Sequence, residues 1–158
     1  MGDNLYVRAR LALAVAAQQC ADLCRGIVGD VSTPMRPGER IRKARRTRLQ
    51  TLTIVDLAVL AELSEGRSWE QVAEALSIDA ESAKRTYLPV WEQWQAGEYD
   101  GPDLGDFTIG TSSDRDLAGT AAFLDSWWVR HAEPWEDAAG ATPVSQVLVD
   151  GQSASGDR

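Results

Sequence analysis

Two long proline-free stretches, Asn4–Val28 and Glu39–Ser64, constrain this chain more than any other feature. Both are rich in Ala, Leu and other strong helix formers, and neither shows the strict alternation of a strand. In the first, Leu5, Ala9, Ala12, Ala16, Leu23 and Ile27 fall near one face, while Leu11, Leu13 and Val15 add apolar surface elsewhere. A helix apolar most of the way round belongs in a core or an oligomer interface. The second ends in a stripe of Leu52, Val55, Val59 and Leu63, with Ile54, Leu57 and Leu60 beside it. Pro34, Pro37 and Gly38 break the chain between the two. Ser68–Ala96 and Asp114–His131 add shorter helical patterns, and Pro89 is expected to end or kink the helix that reaches Leu88. The fold expected is therefore all-α, with four to six helices. A helical domain is expected over 1–136 and a disordered, Gly/Ala/Ser-rich tail over 137–158, in which Val144–Val149 is an apolar island.

Charge divides the chain. The 158 residues carry 16 basic and 24 acidic side chains, a net of −8. Residues 1–98 hold 13 of each sign, so the whole excess of acid lies in 99–158. The first part can thus present a basic face despite the low overall pI. Arg40, Arg42, Lys43, Arg45, Arg46 and Arg48 place six basic residues in nine positions at the start of the second long helix. Arg42, Lys43 and Arg46 point one way, and Arg45 and Arg48 share the direction of the Leu52/Val55/Val59 stripe. Burying these charges without partners would be strongly unfavourable, so the helix is expected to leave the core before Arg48 and project. A projecting basic helix end suits phosphate contacts.

The stretch 68–88 reads Ser-Trp-Glu-Gln-Val-Ala-Glu-Ala-Leu-Ser-Ile-Asp-Ala-Glu-Ser-Ala-Lys-Arg-Thr-Tyr-Leu. Ser68 with Gln71 forms a capping box, and Asp79 can cap a second helix. Ala73 is small where two helices cross, Val72 and Leu76 fill the angle between them, and Ile78 plugs the turn. Ala83 and Tyr87 form the inward face of the second helix. This pattern resembles the helix-turn-helix of bacterial transcriptional regulators, sigma-factor region 4 and transposase DNA-binding modules. It departs from them at Ser77, where Gly is usual, and at Ala83, where Val or Ile is usual. The resemblance implies a recognition helix whose exposed Glu81, Ser82, Lys84 and Arg85 meet DNA in the major groove; the charge density of the basic segment independently suggests Arg42, Lys43 and Arg46 for phosphates. The resemblance implies a DNA-binding protein, either a transcriptional regulator acting as a homodimer or a phage or mobile-element protein. The alternative is a protein–protein adaptor whose acidic C-terminal region binds a basic partner.

Other chemistry finds little support. There is one histidine, His131, expected as a partner for its helix's C-terminal dipole. Cys20 and Cys24, four apart on a helix, are expected as free, buried, apolar residues rather than a disulfide. No nucleophile–His–acid grouping, phosphate-cradling Gly loop or metal cluster is present in the sequence, so no catalytic residue, metal or cofactor is expected. Trp127 and Trp128 are adjacent, so one is expected in the core and the other on a second surface. No run of about 18 uncharged apolar residues occurs, so no membrane contact is expected. The N-terminus lacks the order of a signal peptide, and the expected location is cytoplasmic.

Overall fold

The computed structural model describes residues 2–99, 117–133, 135–136, 141–146 and 148. It is all-α, with five helices and no strand among the described residues: α1 (Gly2–Gly29), α2 (Glu39–Ser64), α3 (Trp69–Leu76), α4 (Ala80–Ala96) and α5 (Leu117–His131). The bounds of α2 and α3 match the expectation from periodicity and caps. The expected start of α5 at Asp114 lies outside the described residues.

Helices α1 and α2 form an antiparallel hairpin. Arg10 pairs with Glu65 at 3.5 Å, Gln50 donates to the Ala16 carbonyl at 3.0 Å, and Lys43 pairs with Asp30 at the connecting turn. Ala9 and Ala16 are fully buried, and their small side chains let α2 and α4 approach α1 closely. They share one core cluster with Leu57, Leu60, Ala61 and Trp94. Helix α5 runs beside α1 in the same direction: Ala121 packs on Val7 and Leu11, and Trp127 Nε1 donates to Asp22 at 3.3 Å. Trp127 and Trp128 are both half-buried, so neither is a full core residue.

Four expectations change. First, the covered face of α2 is Gln50, Thr53, Leu57, Leu60 and Ala61, against α1, with Val59 and Leu63 turned to α3; Leu52 and Val55 are 52% and 39% exposed. Second, Pro89 neither ends nor splits α4, which runs unbroken to Ala96. The missing N–H leaves the Arg85 carbonyl without its ladder donor. Packing of Val90, Trp91 and buried Trp94 against the α1/α2 core offsets that loss. Third, Cys24 is exposed and Cys20 half-buried, both free; burial and the neighbouring Cys24 raise the Cys20 thiol pKa. Fourth, by length and composition Leu5–Gly29 is apolar enough to cross a membrane, because Leu11–Ala21 carries no charge. Here that helix is held by α2, α4 and α5, and Arg8 lies over the Trp94 ring at 5.1 Å.

The tail is also not wholly unpacked. Val144 and Leu148 sit on Val7, Leu11 and Ala121, and buried Asp125 accepts the backbone N–H groups of Val144 and Ser145. Residues 137–140, 147 and 149–158 of the expected tail lie outside the described residues.

Candidate nucleic-acid interface

The α3–turn–α4 unit is built by short-range rules. Ser68 accepts from the Gln71 amide, and the Gln71 side chain accepts from the Ser68 amide, closing the capping box. At the far end Ile78 N–H reaches back to the Ala73 carbonyl at 3.0 Å and Ser77 N–H to Glu74 at 3.1 Å. This closure requires a left-handed residue, and Ser77 takes it, with φ 57° and ψ 39°. It is the position where the resembled modules carry Gly; here a serine takes the left-handed conformation at a strain of about 1 kcal/mol. Asp79 Oδ1 then accepts from Ser82 N–H at 2.8 Å and starts α4.

Packing fixes the angle between the helices. Ala73 is 3% and Ala83 0% exposed, so each helix of the unit buries a small side chain. Val72 is buried with Val59 and Leu63 of α2, and Leu76, Tyr87, Trp69 and Trp91 pack around them. Ile78 departs from expectation: it is 42% exposed rather than a plug. The backbone closure turns it outward, and the space it was expected to fill is already taken by Val72, Leu76 and Tyr87.

The outer surface of α4 presents Glu81, Lys84 and Arg85 to solvent, with Ser82 half-buried. Arg85 donates to Ser82 Oγ at 3.0 Å. Hydrogen bonding from Ser68, with the charge of Lys84 adding, holds the Glu70 carboxyl below its ordinary pKa. The Ser82 hydrogen bonds, with Arg85 adding, do the same for Asp79. Glu70 therefore lies near Lys84 and Asp79 near Arg85, with Glu81 one turn before both on α4, so this surface is not basic by itself.

The basic arm is separate. Glu39–Leu49 contains no buried residue, so α2 leaves the core before Arg48 as expected. Arg42 and Arg46 are exposed, whereas Lys43 is half-buried and paired with Asp30. At 1.5 Å per residue Arg46 lies about 20 Å along α2 from Val59, where α3 packs, so the arm and α4 are not one patch. The Arg42/Lys43/Arg46 side turns toward α1, while Arg45 and Arg48 share the face of α2 that carries α3. Ile78 was expected inside; no local signal distinguishes an inward from an outward residue in the three-residue turn Ser77–Asp79.

Near α4, burial raises the pKa of the Asp56 carboxyl, and burial with the Asp56 charge raises those of the Tyr87 and Tyr99 phenols. Among the described residues no group of three or more His, Cys, Asp and Glu is placed to hold a metal ion. Compared with known proteins, the chain matches no family model, and no curated protein or solved structure is significantly similar to it.

Proposed function

We propose that this protein binds duplex DNA by placing the first half of α4 in the major groove, as a transcriptional regulator that acts as a homodimer. The observation that carries this reading is the α3–turn–α4 unit itself, two capped helices joined through a left-handed Ser77 with Ala73 and Ala83 buried. That unit leaves Glu81, Lys84 and Arg85 on a free helical surface. Lys84 and Arg85 can donate to guanine edges, Glu81 can accept from a cytosine amino group, and exposed Ile78 suits a thymine methyl. Because carboxylates lie beside Lys84 and Arg85, phosphate affinity falls to the Arg42, Lys43 and Arg46 arm. A second copy adds affinity through a second half-site about one DNA turn away.

The test is a titration of labelled random and genomic duplexes at two salt concentrations. Lys84→Ala with Arg85→Ala should weaken specific binding by about 1–3 kcal/mol for each base no longer read, with an unchanged far-UV circular dichroism spectrum. Wild-type affinity in the double variant would remove α4 from the interface. Absence of DNA binding throughout would favour the adaptor reading.

A further inference from the structure

We infer that the projecting half of α2 is a docking site for an acidic amphipathic helix of a partner protein. This surface stands independently of whether α4 binds DNA. Its basis is a single stripe. Ile41, Arg45, Arg48, Leu52, Val55, Val59 and Leu63 recur at spacings of three and four. Such a stripe stays on one side of a helix and is the seam along which a second helix lies. The C-terminal end of the seam is already occupied: Val59 is 4% and Leu63 9% exposed, beneath α3 and its neighbours. The remainder is open, with Val55 at 39%, Leu52 at 52% and Ile41 at 75% exposure.

The chemistry of the open part identifies its occupant. Three aliphatic side chains on one exposed face gain nothing from a phosphate backbone, which is polar along its length, but they match the apolar stripe of a helix. Arg45 and Arg48 interrupt that aliphatic row, and among the described residues neither side chain has an ion pair. A partner therefore needs carboxylates at the matching positions. The opposite side of the arm is engaged by its own loop, through Lys43 with Asp30 and Arg40 with the Thr33 carbonyl at 3.0 Å. That anchoring holds the seam outward. The span from Ile41 to Val55 is about 21 Å at 1.5 Å per residue, which sets a partner helix of roughly four turns.

A second copy of this chain fits poorly. Antiparallel pairing centred on Leu52 would bring Arg45 to the level of Val59, where α3 already sits. Pairing centred nearer Arg45 and Arg48 would set guanidinium groups of the two copies against one another.

The experiment uses the full chain and a fluorescent synthetic helix of about four turns, with leucines at alternating three- and four-residue spacing flanked by glutamates. Fluorescence anisotropy should show binding that weakens at least about tenfold in Leu52→Ser/Val55→Ser and in Arg45→Glu/Arg48→Glu. It should weaken similarly when the peptide is scrambled at constant charge. All four residues are exposed, so circular dichroism should match wild type. Duplex DNA affinity should be unchanged in Leu52→Ser/Val55→Ser. Peptide binding indifferent to those serines would reduce the seam to simple charge attraction and overturn the proposal. A parallel loss of DNA affinity in that variant would assign the face to DNA instead. A wild-type dimer in solution that becomes a monomer in the same variant would assign it to a second copy.

Discussion

Asp125, 6% exposed on α5, accepts the Val144 backbone N–H at 2.8 Å and so ties a segment far along the chain to the helical body. The same carboxylate accepts from Ser145 N–H at 3.1 Å and from its hydroxyl. It acts as an external cap for the turn that delivers Val144 and Leu148 to the groove between α1 and α5.

Asp125→Ala leaves those donors without their acceptor. It should cost about 1–3 kcal/mol, the usual range for a buried hydrogen-bonded group losing its partner. Hydrogen exchange at Val144 and Ser145 should accelerate together. Removing 141–158 should uncover Val7 and Leu11 and lower Tm, whereas a wholly unpacked tail would leave Tm unchanged.

Ser77→Gly removes a Cβ from a left-handed position and should raise stability by about 0.5–1 kcal/mol in denaturant unfolding. Ser77→Val should destabilise by more than that gain. Ala83→Leu adds three carbons at a helix position with 0% exposure, and should cost about 1–3 kcal/mol by overpacking. If the α3–turn–α4 packing positions the recognition surface, DNA binding should fall with it.

Pro89→Ala restores an N–H in the interior of α4 at an exposed position. Thermal unfolding should shift upward, by up to about 3 kcal/mol if the helix axis is straight and by less if it is bent around the ring. A loss of stability would mean that the proline ring itself serves the packing of Trp91 and Trp94.

Asp56 is a carboxyl whose pKa burial raises in the folded state. Its folded form therefore favours the proton more than its unfolded form does. The stability linked to it is fully present below about 3.9, the unfolded carboxyl value, and is lost as pH rises through the raised folded value. Asp56→Asn should unfold at higher temperature than wild type at pH 7, and the difference should shrink toward pH 4.

Neutralising Arg42 and Arg46 together should weaken binding to all duplexes alike and flatten the salt dependence by about 0.9 for each phosphate no longer neutralised. Lys43→Ala should add less than Arg42→Ala, because Lys43 must first leave Asp30.

Local features of this fold were legible without coordinates. Gly38 and Gly66 bracket α2, the Ser68–Gln71 box opens α3 and Asp79 opens α4, because caps and turns depend on neighbouring residues. The escape of Glu39–Leu49 from the core was legible too, since six cations cannot share a buried face. The candidate recognition residues came from the helix-turn-helix resemblance; of these Glu81, Lys84 and Arg85 are exposed and Ser82 is half-buried.

Sequence by itself thus determined which segments are helices, where most of them begin and end, and which end of α2 had to stay in water. Only tertiary structure decided which of two apolar stripes on α2 is covered, because that choice depends on where α1 lies. It also decided that Pro89 is absorbed into α4, that Ile78 turns outward, and that Val144 and Leu148 return to the α1–α5 groove. Each of these outcomes balances a local preference against burial contributed by residues distant in the chain: Trp94 against α1 and α2, Val72 already filling the turn, and Asp125 waiting for Val144. Caps and periodicity act over one or two turns of chain, whereas burial depends on which surfaces meet, and only the folded chain brings those together.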